Sequence, residues 1–313
     1  MTLNLSILFV ILNLGLSTAL ASQGLQPRVH NSAPTFVKFW NEASGLPLDQ
    51  QIEKFDQVVY STFPDFYDFK FKKWQKQGKS KREGLSEQFS QYRAIHENFS
   101  KRTKTIASLI ASNLNSFTKE FPDFNTNLDI YIIHSLGELD GGIRTIDGKS
   151  YFIIGIDAIA KYHREILNDS PFFHHELFHV YHAQYFQSTG GLWSSLWMEG
   201  LPTYVSSALN PGVSNADILL DVPSDLVGKC EKDINFLWND VFRLLQSTKN
   251  EDYVKYFLLA SLDPRIPRRA GYYLGYLVAK ELAKTYRLDE LAKLDPSEVQ
   301  RLVSETVEMF VNK

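Results

Sequence analysis

Midway along the chain the sequence reads His174-His175-Glu176-Leu177-Phe178-His179, which contains the pattern H-E-x-x-H. On a helix, His175 and His179 stand four residues apart on one face, ~6 Å apart along the axis, where both imidazoles can bind one metal ion. Glu176 is one position on, near enough to reach a water beside that ion without ligating the ion itself. A chain of this composition carries the pattern by chance roughly once in a hundred, so the motif needs a third ligand to support it. His182 shares the face with His175. Seven residues rise ~10.5 Å, however, too far for both to reach one ion along a straight helix. Val180-Tyr181-His182 also has no glycine at which the chain could double back. His182 therefore reads as an ordinary helix-surface histidine. Glu199, within Leu196-Trp197-Met198-Glu199-Gly200-Leu201-Pro202-Thr203-Tyr204, is the better candidate. It is an acid inside an otherwise apolar helix, and its burial would be costly unless metal coordination offset the cost.

These residues need two helices to hold them. Asp169-Ser170-Pro171 opens the first, with Ser170 as its cap and Pro171 where no backbone donor is required. This helix is expected to run to about Ser188 and stop at Gly190-Gly191. A second helix carries Leu196 to Ser207 and ends at Asn210-Pro211-Gly212. Upstream, Leu128 to Ile133 reads as a buried strand. Ile143 to Ile146 and Ser150 to Ile156 flank Asp147-Gly148, a dipeptide suited to a tight hairpin turn, so a sheet of at least three strands is expected. Pro34 to Pro122 is helical and aromatic, and its rings (Phe36, Phe39, Trp40, Phe55, Phe63, Phe66, Phe69, Phe71) read as core. Gly78 to Gly84 reads as a polar loop carrying the solvated basic run Lys79-Ser80-Lys81-Arg82. A helix is expected from about Ser86 to Glu120. Periodic stretches at Ile234–Leu245, Gly271–Tyr286 and Pro296–Phe310 make the C-terminal part helical. There is no internal repeat and no low-complexity tract.

The chain has 313 residues, 44% apolar and 22% charged, which excludes a mostly disordered or collagen-like polymer. With 33 Lys+Arg against 36 Asp+Glu, no basic surplus recommends nucleic acid as a partner. The single cysteine, Cys230, cannot form an internal disulfide, and with no ligand-spaced neighbour it reads as a buried, idle thiol. Leu5 to Leu16 is almost uninterrupted apolar and Ala19-Leu20-Ala21 supplies small residues for cleavage, although no Lys or Arg precedes the run. Residues 1–21 are therefore read as an export signal, with the mature chain starting near Ser22, in the periplasm or outside the cell; an uncleaved anchor or a buried first helix is the alternative. Nothing else is long and apolar enough to span a bilayer stably.

His175-Glu176-x-x-His179, followed by Trp197-Met198-Glu199-Gly200-x-x-Thr203, resembles the gluzincin zinc metallopeptidases. The aminopeptidase N-like branch is the nearest, with its similar gap between helices and its Asn-Glu-Gly-x-x-Thr segment. The resemblance is specific over Pro171 to Tyr204 and weaker from Leu128 to Ile156. It implies one Zn2+ per chain held by His175, His179 and Glu199, with Glu176 as general base. It also implies that Thr203 accepts a bond from a ligand imidazole, and that a tyrosine on a downstream helix stabilises the oxyanion. Gly271-Tyr272-Tyr273-Leu274-Gly275-Tyr276 supplies that tyrosine. Tyr272 fits the Tyr-x-x-Gly context best, with Tyr273 and Tyr276 as rivals. The branch also carries a Gly-x-Met-Glu-Asn segment whose glutamate grips a free amine, but here the stretch reads Gly141-Gly142-Ile143-Arg144-Thr145-Ile146. A peptide substrate is thus expected to be cut within its chain unless another acid, such as Glu138 or Asp140, takes that glutamate's place. Ser150 to Ile156 is the expected edge strand for an extended peptide.

The expectation is an α+β, predominantly helical protein with a gluzincin-like zinc-helix core and a small sheet. Residues 22–125 form an N-terminal helical region, 126–209 the catalytic sheet and zinc helices, and 210–313 a C-terminal helical region. Two other readings are a zinc-retaining but inactive scaffold and a zinc hydrolase acting on a non-peptide bond. The intact Glu176 argues against the scaffold, which has no use for a base beside the ion.

Overall fold

The computed structural model describes residues 27–126, 128–163, 168–259 and 262–313. The segment read as an export signal lies outside them. The described residues are mostly helical with one four-stranded sheet, the α+β, predominantly helical class expected. They fall into two units, one of residues 27–112 and 125–163 and the other of 113–124 and 168–313.

In the first unit, strand β1 (Val29–Asn31) is followed by helices α1 (Ala33–Ala43), α2 (Leu48–Val58), α3 (Pro64–Lys76) and α4 (Lys81–Glu120). The last turns of α4, from Asn113 on, belong to the other unit. Strands β2 (Ile130–Ile133), β3 (Gly141–Ile146) and β4 (Lys149–Gly155) and helix α5 (Ile156–Tyr162) complete the first unit. The sheet order is β1-β2-β4-β3, with β1, β2 and β4 parallel and β3 antiparallel to β4. The β3–β4 hairpin turns on Asp147 (φ 48°) and Gly148 (φ 83°), both left-handed as a two-residue hairpin turn demands. One expectation is corrected here: β4 is an interior strand paired on both sides, so it offers no free edge, and the edge strands are β1 and β3.

Most of the rings read as core are buried, but Phe69 and Phe71 are only half-buried. Phe36, Phe39, Phe55, Phe66 and Phe99 are fully buried, and Phe36 packs edge-on against Phe39 and Tyr92. The loop expected over 78–84 is shorter, because α4 already begins at Lys81. Ser80 and Glu83 form a capping box, with the Glu83 carboxylate accepting from the Ser80 N–H (2.8 Å) and the Ser80 hydroxyl from the Glu83 N–H (3.2 Å). Gly84 is helical and lies against Trp74, where a Cβ would stand 2.3 Å from the indole, so the glycine reflects close packing and not a turn. At the start of α5, Asp157 accepts bonds from the Ser135 and Gly137 backbone N–H groups and from the Ser135 hydroxyl, which ties the β2–β3 connection to the sheet.

The second unit holds α6 (Ser170–His182), α7 (Leu192–Ala208), α8 (Leu226–Glu231), α9 (Ile234–Leu244), α10 (Asn250–Phe257), α11 (Ala270–Leu282), α12 (Leu288–Ala292) and α13 (Pro296–Val311). Pro171 sits in the first turn of α6 as expected, but the side chain serving that turn is Asn168, which accepts from the Ser170 N–H at 3.0 Å. Helix α6 also stops short of Ser188. Beyond His182 the chain tightens into i to i+3 turns, while the hydroxyls of Tyr181 and Tyr185 both donate to Asp123 at 2.9 Å. Helix α7 packs between α6 and α11. It contains Pro202, whose missing N–H releases the Met198 carbonyl one turn back.

Candidate metal centre

Helix α6 presents His175 and His179 on one face, and α7 brings Glu199 to them. The Nε2 atoms of the two histidines stand 2.9 Å apart. Oε2 of Glu199 lies 3.6 Å from Nε2 of His175 and 3.7 Å from that of His179. The circle through these three atoms has a radius of about 2.0 Å, which matches the ~2.0–2.2 Å bonds zinc makes to imidazole nitrogen and carboxylate oxygen. The group can hold a metal ion. Its members occupy the positions that helical spacing and apolar context single out, and Glu199 is 3% exposed, so it is no surface carboxylate.

The charges of the three side chains are coupled. Burial pushes the Glu199 carboxyl up, but hydrogen bonds from both imidazoles outweigh it and hold the group down to about 2. Burial lowers His175 to about 4 despite Glu199. Burial also opposes protonation of His179, yet its bond to Glu199 prevails and raises it. Two Nε2 atoms at 2.9 Å cannot aim bare lone pairs at each other, so without a metal ion one of them carries a hydrogen, which an entering ion must displace.

Thr203 lies beside His175. Its hydroxyl donates to the Glu199 carbonyl at 2.7 Å, so at 3.5 Å from Nδ1 of His175 it presents only a lone pair. The contact is at the outer limit of a hydrogen bond. It favours the tautomer with the proton on Nδ1 and leaves Nε2 bare toward the centre. Glu176 is half-buried, and its charge acts on His179.

His182 is not the surface histidine expected. It is 3% exposed, stacked between Phe178 (5.4 Å) and Phe186 (5.0 Å), and faces Trp197. Among the described residues its Nε2 has no hydrogen-bond partner, and burial holds its pKa down to about 3. It is outside the ligand group, as the helical rise required. His174 is also buried. The Asn210 side-chain N–H₂ donates to its Nδ1 (2.7 Å), so its Nε2–H is directed at the Ser116 hydroxyl (2.8 Å). These bonds tie α6 to the end of α4 and to the residues after α7.

The three tyrosines of α11 separate by partner. Tyr273 donates its hydroxyl to Glu231. Tyr276 lies half-exposed, its ring against Tyr204 and Lys280. Tyr272 is 8% exposed, and after burial the largest influence raising its pKa is the charge of Glu199. Tyr273 is raised by burial and by Glu231 instead. Two residues that the sequence does not mark join Tyr272. Arg269 lays its guanidinium over the Tyr272 ring at 4.2 Å, and its charge reaches His175 and Tyr253 as well. Tyr253, on α10, is raised by burial and by Glu199. Neither residue has a motif or periodic spacing that could have marked it. Cys230 is buried and its thiol pushed up to about 12, an inert group as expected.

No family model, curated protein or solved structure matches the chain. The likeness to the gluzincins therefore rests on these residues alone.

Proposed function

We propose that the chain is a zinc-dependent metallopeptidase that hydrolyses bonds within peptide chains. The observation that carries this reading is the triangle of His175, His179 and Glu199, sized for a zinc ion, with Glu176 on the same helix beside it. Two neutral imidazoles and one carboxylate suit an open catalytic site better than a closed structural one. Bound there, a zinc ion supplies Lewis acidity, acidifying a water and polarising a carbonyl. Glu176 takes the proton of the attacking water and later delivers it to the leaving amine. Tyr272, kept protonated by burial and by Glu199, donates its hydroxyl to the oxyanion.

Cutting within chains is supported by the state of the two acids that could replace the missing glutamate. A grip on a free amine needs a carboxylate with charge to give. Glu138 already accepts from Lys70 (2.8 Å) and Lys73 (2.7 Å), and Asp140 faces His163 at 3.5 Å. We further propose export to the periplasm or beyond, on the sequence of residues 1–21 alone.

The test is Glu176→Gln, which preserves shape and hydrogen bonding but cannot take a proton. Zinc content and melting temperature should stay at wild-type values while cleavage of a denatured protein substrate falls by ~10²-fold or more. Full activity in Glu176→Gln would sink the mechanism, and a wild type that holds zinc without cleaving anything would favour the scaffold.

A further inference from the structure

We infer that Arg269 is a receptor for a carboxylate on the substrate, so that the bond cleaved lies beside an acidic side chain; recognition of the terminal carboxylate would replace cutting within chains by trimming from the carboxyl end. This rests on the peptidase reading and adds the chemical class of the group recognised next to the scissile bond.

Arg269 is the residue just before α11, in the left-handed region with φ 65°. A non-glycine residue adopts that region at a steric cost and keeps it where surrounding contacts over-determine it. Those contacts are present. Nη1 donates to the carbonyl of Val222 at 3.0 Å and reaches that of Leu219 at 3.4 Å. The plane of the guanidinium rests on the Tyr272 ring. The head group is thus held from two sides beside the proposed oxyanion donor.

Its charge has no counterpart among the described residues. Among the described residues no carboxylate lies within 4.0 Å of the guanidinium, and its hydrogen bonds to protein carbonyls use Nη1 only. A guanidinium has five N–H donors in a planar fork matched to a carboxylate. A half-buried cation without an anion is unfavourable, and the carbonyls it touches are neutral. With a divalent ion held by His175, His179 and Glu199, and Glu176 ionised, the centre including Arg269 carries a net positive charge. An anionic substrate group satisfies the fork and offsets that charge at once, whereas a neutral or cationic residue there would leave the guanidinium unpaired.

The experiment uses the zinc-loaded full chain and pairs of thiol probes whose sulfur anchors on the metal, with binding measured by calorimetry. Mercaptoacetyl-aspartate amide is compared with mercaptoacetyl-asparagine amide, and mercaptoacetyl-alanine with its amide. The first pair reports an acidic side chain and the second a chain terminus. Wild-type protein should bind the acid of at least one pair about tenfold or more tightly than its amide. That preference should shrink to within about twofold in Arg269→Gln, while Arg269→Lys, which keeps the charge without the fork, should retain part of it. Equal binding of acid and amide by the wild type in both pairs overturns the inference, whatever the variants do. So does a preference that survives intact in Arg269→Gln. Failure of the peptidase reading looks different: the untreated protein would take up no zinc before any probe is added, and the inference would fall with it.

Discussion

Gly200 and Gly275 meet backbone to backbone where α7 crosses α11. A Cβ on Gly200 would lie 2.1 Å from the carbonyl carbon of Gly275, and one on Gly275 would lie 2.2 Å from the carbonyl oxygen of Leu196. Glu199 immediately precedes the first glycine, and Tyr272 stands three residues before the second. The close approach is what brings the helix of the candidate oxyanion donor onto the helix of the acidic ligand.

Gly200→Ala and Gly275→Ala should each therefore destabilise the protein by ~1–3 kcal/mol or more, since the obstructing atoms are backbone and only separation of the helices relieves them. Thermal melts of both variants should shift down by several degrees, by an estimate of ~2–4 °C per kcal/mol. Unchanged melting would mean that the two helices do not touch at these glycines.

The metal centre makes a stoichiometric prediction. Purified protein should hold about one zinc per chain, and His175→Ala, His179→Ala and Glu199→Ala should each lose it, because a three-ligand site tolerates no missing member. Wild-type zinc content in Glu199→Ala would remove Glu199 from the ligand set.

The tyrosines of α11 are separable by turnover. Tyr272→Phe should lower it by roughly ten- to a thousandfold with zinc retained, as loss of one oxyanion donor does. Tyr273→Phe, whose hydroxyl is committed to Glu231, should leave turnover within about threefold. A reversed order would transfer the role to Tyr273.

Buried histidines set the response of the metal-free protein to acid. His182 and His175 have folded-state values of about 3 and about 4, below the ordinary ~6.5. The unfolded chain then binds more protons, so stability falls as pH drops from ~6.5 toward 3. The lowered Glu199 acts in the same direction, its contribution being lost as pH falls through about 2. The raised His179 acts oppositely, stabilising below ~6.5 and losing its contribution as pH rises through its folded value. Because His182→Phe removes one buried proton acceptor, its melting temperature should fall less steeply between pH 6.5 and 4 than that of the wild type. Parallel slopes would show that His182 is not kept neutral by its surroundings.

Much of the centre is legible in the amino-acid sequence because it is local. H-E-x-x-H places two imidazoles on one face wherever a helix forms, and Pro171 together with the apolar run from Phe172 ensures that one does. Glu199 is legible for a different reason: a lone acid among Leu196, Trp197, Leu201 and Val205 must either be buried with a partner or break the apolar face. The β3–β4 hairpin follows from Asp147-Gly148, whose backbone freedom selects that turn. The helical reading of the aromatic N-terminal part follows from the three- and four-residue spacing of its rings.

What the tertiary structure alone decides are the relations between distant segments. The parallel pairing of β1 with β2 joins residues about 100 positions apart, such as His30 and Tyr131, and no local pattern announces it. Tyr272, Tyr273 and Tyr276 are equivalent as apolar-helix tyrosines. Rotation of ~100° per residue distinguishes them only once α11 is seated on α7 through Gly275 and Gly200. His182 looks like a surface residue until Phe186 and Trp197 close over it. Arg269 carries no motif, because a guanidinium gains its meaning from what surrounds it: two loop carbonyls, one aromatic face and, among the described residues, no carboxylate. Helical periodicity acts over four residues and can be read from the sequence, whereas burial and charge pairing depend on which surfaces the folded chain brings together.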